Sequence, residues 1–224
     1  MGNAKGVLDT KIKEILLHNV GALAAVQGSI LSAAEGREVR TILVTSANRY
    51  DGKTVTAVGM AASLASHANA EVLLVDANIP NPALHQLFGV EEQPGFSDFL
   101  TTKIGLEDVV ARTDDPRLLL MPRGGTAATL YDVTRGGAFA TQLASLRSKF
   151  DYVICDGSAV FGSSDASMVA SHFDGIVLVV ECERTRWEVV QDAKERIVKA
   201  GGHILGVALN KRRYYIPKAL YAGA

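Results

Sequence analysis

The sequence has few of the features that stabilise secreted proteins or anchor a chain in a membrane. It contains only two cysteines, Cys155 and Cys182, and no C-x-x-C pair, so neither a disulfide framework nor a thiolate metal site is indicated. Wholly apolar runs such as residues 22–26 and 176–180 are about a quarter of the ~20 residues that a membrane-spanning helix needs. We therefore expect a cytoplasmic chain in a reducing compartment.

An excess of charge of one sign is also missing. The chain has 23 basic against 24 acidic side chains, a formal net charge of −1, so no overall field attracts nucleic acid or an acidic membrane. The five histidines are isolated in the sequence, without the spacing of metal ligands. We expect no nucleic-acid partner, and function must reside in local motifs.

Apolar runs rich in β-branched residues alternate with amphipathic stretches. Five runs predict buried strands, at residues 41–46, 72–76, 152–156, 175–180 and 203–210, and four stretches predict helices, at residues 53–65, 139–149, 165–171 and 187–200. Strands that are apolar on both faces are typical of a parallel sheet covered by helices. The alternation predicts an α/β fold with a doubly wound, mostly parallel sheet.

The chain divides into three predicted parts. Residues 1–39 are expected to form a helical extension, residues 40–210 the α/β domain, and residues 211–224 a basic tail that contains tyrosines. Within the domain, residues 92–126 show no clear period, and we expect a less regular insertion there.

A phosphate-binding loop is predicted directly after the first strand. Residues 47–54 match three of the four fixed positions of G-x-x-x-x-G-K-[ST], with Ala47 in place of the first glycine. A preceding strand and a following helix are the context in which such a loop binds phosphate. Lys53 would reach the β and γ oxygens, and the Thr54 hydroxyl would hold Mg²⁺. The expected nucleotide-binding residues are Asp51, Gly52, Lys53, Thr54 and Val55. The other interpretation is a glycine turn with a solvated lysine.

Two further predicted strands end in an aspartate, at Asp76 and Asp156. In an open parallel sheet the ligand lies beyond the carboxyl ends of the strands, so both should approach Lys53. With Thr54 they are candidate Mg²⁺ ligands, and Lys53, Asp76 and Asp156 are the candidate catalytic residues. An aspartate at a strand end can also merely cap the next turn.

The last predicted strand ends at Asn210. An asparagine there can hydrogen-bond a purine base. Because no aspartate stands two residues after Lys211, as a guanine-selective N-K-x-D site requires, ATP would be preferred to GTP. A strand-end turn is the other interpretation of Asn210.

Three of the six tyrosines lie in the basic tail, at Tyr214, Tyr215 and Tyr221. Such a tail is the part of a chain with most freedom to move, so these tyrosines could enter an active site as phosphoacceptors. They could equally pack a last helix on the domain.

Together these residues resemble the bacterial tyrosine kinase (BY-kinase) family of capsule and exopolysaccharide biosynthesis. Residues 42–54 are similar to its Walker A stretch, residues 72–82 to its second Walker segment and residues 150–156 to its Walker B. Shorter matches follow at residues 84–85, 88–89, 95–100, 106–109, 165–166, 174–175, 185–186, 205–207 and 209–210. The resemblance implies a P-loop NTPase fold of the MinD/ParA type.

The resemblance also implies an activity and a partner. The activity is transfer of the γ-phosphoryl group of Mg²⁺-bound ATP to tyrosine hydroxyls, with Asp76 as base or metal ligand, Asp156 holding Mg²⁺ and Lys53 neutralising charge. Family members that lack membrane segments act with a membrane polysaccharide co-polymerase whose cytosolic tail completes the nucleotide site. Recruitment to the inner face of the membrane follows, and a homo-oligomer is a further candidate assembly.

Several positions depart from the family pattern. Arg49-Tyr50 stand where the family has Pro-Gly, and Asn78 and Pro80 replace the second Asp and the Arg of D-x-D-x-R. Gly157-Ser158 stand where Thr/Ser-Pro is usual, and the family's E-x-x-R-x-x-R helix is not visible in residues 20–31.

These departures keep two alternative functions open. One is a catalytically weak or inactive scaffold, gated by nucleotide, for a polysaccharide co-polymerase. The other is a ParA/MinD-type ATPase, although Asn48 stands where its P-loop carries a lysine.

Overall fold

A seven-stranded sheet runs through the centre of the protein. The computed structural model describes residues 5–33, 36–125, 137–163 and 165–212. Its strands are β1 (Thr41–Ser46), β2 (Val72–Asp76), β3 (Ala111–Arg112), β4 (Leu118–Met121), β5 (Tyr152–Asp156), β6 (Gly175–Glu181) and β7 (Ile204–Asn210). They lie in the order β3-β4-β2-β5-β1-β6-β7, and each neighbouring pair is parallel except β3 with β4. The predicted fold class is confirmed.

Helices cover both faces of this sheet. Those of the described residues are α1 (Thr10–His18), α2 (Val20–Ala33), α3 (Lys53–His67), α4 (Leu84–Phe88), α5 (Phe96–Thr101), α6 (Leu106–Val109), α7 (Ala138–Lys149), α8 (Asp165–Val169) and α9 (Trp187–Lys199). Successive strand residues face opposite sides of a sheet. Ile42 and Val44 therefore join a core with α3, whereas Leu43 joins a second core with α7 and α9. Burial of both faces explains why the strands are apolar at nearly every position.

Most strands and helices agree with the sequence-based expectation. The five predicted strands are present, and each begins and ends within one residue of its predicted bounds. The four predicted helices are present as well, the third as α8 followed by a 3-10 turn at Ala170–His172.

The segment of residues 92–126 is more regular than expected. Its described part contains α5, α6, β3 and β4. β4 pairs with β2 in parallel and so extends the sheet, and β3 pairs with β4 at the edge. The expectation of a less regular insertion did not identify these elements, because elements of two to six residues are too short to show a clear period.

The expected N-terminal helical extension contains α1 and α2 in its described part. Asp9 caps α1, because its carboxylate accepts hydrogen bonds from the backbone N–H groups of Lys11 (2.9 Å) and Ile12 (3.3 Å). α2 packs on α3 and reaches β7. Gly59 of α3 permits this approach, since a Cβ there would lie 2.7 Å from Cδ2 of Leu23. Within the described residues no helix is long and apolar enough to span a membrane.

Candidate nucleotide-binding site

The loop between β1 and α3 is folded by hydrogen bonds of its own polar residues. The hydroxyl of Ser46 donates to the carbonyl of Asn48 (2.6 Å), and the carboxylate of Asp51 accepts from the backbone N–H of Asn48 (3.0 Å). Gly52 is the N-cap of α3, with a φ of 98° that glycine adopts without steric strain. The first N–H groups of a helix have no acceptor within it, and they are the donors that an anion requires.

The end of β7 holds this loop from outside. Nδ2 of Asn210 donates to the carbonyl of Asp51 (2.9 Å), and Nζ of Lys211 donates to the carbonyl of Tyr50 (2.6 Å). Lys211 also forms an ion pair with Glu181 at the end of β6 (3.0 Å). We call Asn210 and Lys211 the P-loop clamp. Asn210 contacts loop backbone in this structure, and its hydrogen bond to a purine base stays a prediction.

The side chain of Asp51 is part of the same support. It is 2% exposed, and Oδ1 accepts a hydrogen bond from the hydroxyl of Thr185 (3.1 Å). Burial raises the pKa of Asp51, against the hydrogen bonds from Asn48 and Thr185, which lower it. The loop is therefore tied to β6, to β7 and to the segment that follows β6.

The conformation of Tyr50 explains how the loop accommodates a large side chain at a position where the family has glycine. Its φ is 70°, in the region that favours glycine, and the residue is 78% exposed. The aromatic ring therefore borders the loop and does not fill it. A left-handed conformation in a non-glycine residue costs on the order of 1 kcal/mol, and the bond from Lys211 to the Tyr50 carbonyl helps to hold it.

Asp76 and Asp156 lie opposite each other on the neighbouring strands β2 and β5. Both are fully buried. The carboxylate of Asp76 accepts hydrogen bonds from the backbone N–H groups of Asn78 (3.3 Å), Ala83 (2.9 Å) and Leu84 (3.0 Å). Burial raises the pKa of Asp76 to about 6, although these bonds lower it. Asp76 thus anchors the turn that leads into α4.

Asp156 has no such support. Neither of its carboxylate oxygens has a hydrogen-bond partner among the described residues. Burial raises its pKa to about 7, against the positive charge of Lys53, which lowers it; the nearby hydroxyl of Thr54 lowers it further. The negative charge of Asp76 raises it. An isolated buried carboxylate is costly unless a cation compensates it.

A Mg²⁺ ion fits this chemistry. Mg²⁺ is commonly held by one or two carboxylates, a hydroxyl and phosphate oxygens of the substrate, and Asp156, Asp76 and Thr54 supply the protein's share. Among the described residues no group of three or more His, Cys, Asp or Glu side chains could hold a metal unaided. An ion here would therefore depend on the phosphates for its remaining ligands.

A cleft of about 460 Å³ opens above the phosphate-binding loop. Its walls are the loop, the segment after β2 and the segment after β5. It is lined by Arg49, Tyr50, Gly52, Lys53, Thr54, Val55, Asn78, Pro80, Asn81, Pro82, Ala83, Ser158, Ala159, Gly162, Ser163 and Lys211. Three of these residues carry a positive charge.

The structure brings most of the predicted site residues together. Gly52, Lys53, Thr54 and Val55 line the cleft, while Asp51 and Asn210 support the loop. Asp76 and Asp156 lie buried at the carboxyl edge of the sheet. The predicted phosphoacceptors Tyr214, Tyr215 and Tyr221 lie outside the described residues.

Sequence reasoning missed three residues that support the loop. Thr185, which follows β6, and Lys211, which follows β7, bond to the loop, and Glu181 at the end of β6 pairs with Lys211. Glu181 carried a usable signal, because it directly follows the predicted strand of residues 175–180, at the same edge of the sheet as Asp76 and Asp156. Tyr152, expected to be buried in its strand, is half-buried.

A strand, a phosphate-binding loop and a helix at the carboxyl edge of a parallel sheet define the class of P-loop NTPases. The chain matches no protein-family model. It is 30% identical over 177 residues to the tyrosine-protein kinase CpsD of Streptococcus agalactiae, across 79% of this chain and 77% of CpsD. It is 31% identical over 179 residues to the succinoglycan biosynthesis transport protein ExoP of Rhizobium meliloti, across 79% of this chain and 23% of ExoP.

Solved structures agree with these relatives. The kinase domain of VpsO has a TM-score of 0.78 and 28% identity, across 88% of this chain and 97% of that domain. The kinase domain of the Escherichia coli tyrosine kinase ETK has a TM-score of 0.81 and 26% identity, across 88% of this chain and 78% of the other. The chain belongs to the bacterial tyrosine kinase family.

Two structures with lower sequence identity to this chain share the fold. The chimerical protein CapA2B2 has a TM-score of 0.83 and 24% identity, across 95% of this chain and 96% of its own. The septum site-determining protein MinD of Pyrococcus horikoshii, complexed with Mg-ADP, has a TM-score of 0.62 and 22% identity, across 82% and 76% of the two chains. The expected MinD/ParA-like architecture is thereby confirmed.

Proposed function

We propose that this protein is an ATP-dependent protein-tyrosine kinase that acts in exopolysaccharide biosynthesis or export. The observation that carries the proposal is the cleft lined by Lys53 and Thr54 above Asp156, a buried carboxylate without a hydrogen-bond partner among the described residues. P-loop NTPases transfer phosphoryl groups with a phosphate-binding loop, its lysine, and a hydroxyl and an aspartate that hold Mg²⁺. The name of CpsD and the role of ExoP in succinoglycan biosynthesis support the substrate and the pathway class.

Each residue has a separate task in the proposed reaction. The backbone N–H groups of residues 52–55 bind phosphate oxygens, and Nζ of Lys53 neutralises the charge that develops on them. Asp156 and the Thr54 hydroxyl would hold Mg²⁺, which would stabilise the negative charge of the phosphates. The carboxylate of Asp76 keeps an oxygen lone pair beyond its three backbone hydrogen bonds, and it would act as a base for the acceptor hydroxyl or as a ligand of the metal.

The proposal extends to a partner and a location. The protein would work at the cytoplasmic face of the membrane, bound to the cytosolic tail of a membrane polysaccharide co-polymerase. The match to the succinoglycan biosynthesis transport protein ExoP over 23% of its length supports a partner of this kind. A homo-oligomer is compatible with the same arrangement, and no nucleic-acid partner is proposed.

Nucleotide binding tests the site first. A fluorescent ATP analogue is titrated in the presence of Mg²⁺ against the wild-type chain, Lys53→Ala and Lys194→Ala, an exposed lysine of α9. We expect Lys53→Ala to weaken binding at least tenfold, since a charge-assisted contact is lost, and Lys194→Ala to bind like the wild type. Equal affinity in all three would refute the site. Unlabelled GTP should compete less well than ATP, by about tenfold for one base hydrogen bond.

Kinase activity is tested by mass. The chain is incubated with Mg²⁺ and ATP, with and without the cytosolic tail of a candidate co-polymerase, and its intact mass is measured. Gains of one phosphoryl group or more, dependent on Lys53, support the kinase.

A nucleotide-gated scaffold is the second candidate function. It is favoured by Asn78 and Pro80, which line the cleft and carry no charge to stabilise a transferring phosphoryl group. Intact nucleotide binding without any phosphorylation would support it.

A further inference from the structure

We propose that Arg49 is a ligand of the γ-phosphate of ATP and makes the cleft discriminate ATP from ADP. This inference rests on the proposed nucleotide site. Arg49 lines the cleft together with Lys53. Within the described residues it has neither a carboxylate at ion-pair distance nor a hydrogen-bond acceptor.

The residues that line the cleft include three positive charges and no negative one, and the carboxylates of Asp76 and Asp156 are buried beneath it. Lys211 is paired with Glu181, but neither Arg49 nor Lys53 forms an ion pair within the part of the chain that the structure describes. Unpaired cations that face one concave site raise the local concentration of anions. A polyanion such as a nucleoside triphosphate is therefore the ligand class that this charge suits.

The position of the Arg49 side chain points to the terminal phosphate. A Cβ built on Gly162 would lie 3.2 Å from Nε and 3.4 Å from Cγ of Arg49, so the arginine lies against the segment that follows Asp156. Mg²⁺ bridges the β- and γ-phosphates in phosphoryl-transfer sites. Asp156 would hold this Mg²⁺, and Arg49 lies against the segment that follows Asp156, so we expect the γ-phosphate on the side of the cleft that Arg49 borders.

Backbone hydrogen bonds fix this arrangement. The N–H of Val160 donates to the carbonyl of Ser46 (2.9 Å), and the N–H of Phe161 donates to the carbonyl of Ala47 (3.2 Å). These bonds fix the distance between the start of the phosphate-binding loop and the segment after β5. The side chain of Arg49 extends from the loop to that segment.

The same wall contains a polar atom that lacks a partner. The hydroxyl of Ser158, a residue that lines the cleft, is buried and has no hydrogen-bond partner among the described residues. Buried hydroxyls are satisfied in most proteins, so this one indicates a ligand with oxygen atoms on this side. Pro80, which also lines the cleft, supplies no positive charge, and Arg49 would provide it instead.

Calorimetric titration with AMP-PNP and with ADP, both with Mg²⁺, tests the inference. The proteins are the wild type, Arg49→Gln, Arg49→Lys and Arg112→Gln, whose arginine lies exposed on the edge strand β3. We expect Arg49→Gln to weaken AMP-PNP about tenfold, the scale of one charge-assisted hydrogen bond, while ADP changes less than about twofold. The affinity of Arg49→Lys for AMP-PNP should lie between those of the wild type and Arg49→Gln, because lysine retains the charge without the planar donor pair. Arg112→Gln should match the wild type.

Gly162→Ala provides a variant that keeps the charge. The new Cβ would displace the arginine side chain, so AMP-PNP should weaken less than in Arg49→Gln and ADP should remain unchanged. An equal loss for both nucleotides, or no loss for either, in Arg49→Gln would overturn the inference while leaving the nucleotide site in place. A wild-type chain that binds neither nucleotide would overturn the proposed function and this inference together.

Discussion

At the scale of single residues, Asp156 shows folding and function in opposition. Its carboxylate is fully buried, and its pKa is raised to about 7, chiefly by that burial. The unfolded chain would ionise it near pH 4. Between about pH 4 and pH 7 the folded chain therefore holds a proton that the unfolded chain has lost, and stability falls as the pH rises through this window.

Asp156→Asn should remove this pH dependence. We expect its free energy of unfolding, relative to the wild type, to increase by on the order of 2 kcal/mol between pH 5 and pH 8, since one pKa unit corresponds to about 1.4 kcal/mol. Urea unfolding at several pH values, without Mg²⁺ or nucleotide, measures it. In Asp192→Asn, at an exposed position of α9, the free energy of unfolding should change with pH as it does in the wild type. The same pH dependence in Asp156→Asn as in the wild type would contradict the raised pKa that we assign to the burial of Asp156.

Gly52 shows a residue that is required for two reasons. Its φ is 98°, and a Cβ would lie 1.8 Å from Nδ2 of Asn210. Gly52→Ala should therefore lower the free energy of unfolding by about 2 kcal/mol or more and weaken nucleotide binding, because Asn210 must leave the Asp51 carbonyl. Thermal unfolding and nucleotide titration measure the two effects.

Gly89 serves as a control, because its substitution introduces backbone strain without a collision between side chains. Gly89 has a φ of 63°, and a Cβ there would meet nothing within 4 Å. Gly89→Ala should lose only the strain, about 1 kcal/mol, with nucleotide affinity unchanged. Asn210→Ala added to Gly52→Ala should recover part of the stability, since it removes the collision. No recovery would show that strain alone is responsible.

At the scale of elements, the docking of α2 on α3 depends on Gly59. A Cβ at this position would lie 2.7 Å from Cδ2 of Leu23 and 3.0 Å from Cδ2 of Leu16. α1 and α2 can therefore approach α3 only where a side chain is missing. Gly28 of α2 differs, because a Cβ there would meet no atom of the described residues within 4 Å.

The two glycines should respond to substitution with opposite sign. Gly59→Val should destabilise the protein by about 1–3 kcal/mol through overpacking, and Gly28→Ala should stabilise it by about 0.5–1 kcal/mol through helix propensity. Urea unfolding measures both, and amide exchange in α2 should quicken in Gly59→Val. If α2 did not dock on α3, valine would instead stabilise α3 slightly, and that sign would refute the packing.

At the scale of the whole molecule, the P-loop clamp connects the basic tail to the nucleotide site. Lys211 lines the cleft and bonds to the carbonyl of Tyr50, and the predicted phosphoacceptor tail starts at this residue. Phosphates on the tail, each adding a charge of about −2 beside its basic residues, would alter the electrostatics next to the cleft.

Phosphorylation is expected on the tail and not in the domain. After incubation with Mg²⁺ and ATP, phosphopeptide mapping should find the label at Tyr214, Tyr215 or Tyr221, because half-buried Tyr152 is held in a strand. Replacing the three tail tyrosines by Phe should abolish the label without changing ATP affinity. Label confined to Tyr50 or Tyr131 would contradict the prediction, and no label with intact nucleotide binding would favour the scaffold.

The sequence by itself determined the fold class and most of the strands and helices. Strands such as β1 and β5 are apolar on both faces, and that pattern is local, so it can be read without knowing what packs against them. The phosphate-binding loop was recognisable for the same reason, because Gly52, Lys53 and Thr54 are consecutive. Strand β4 was not, since four residues show no period and only pairing with β2 makes them a strand.

Only the tertiary structure decided how the site is supported. The sequence placed Asn210 at the correct edge of the sheet. Its contact with the Asp51 carbonyl joins residues that are 159 positions apart in the chain, and no local sequence pattern predicts a contact over such a separation. The lack of a hydrogen-bond partner for Asp156 among the described residues and the position of Arg49 against Gly162 are likewise properties of packing. Periodicity reports which faces are buried, whereas hydrogen-bond partners and burial of charge are set by residues brought together from distant parts of the chain.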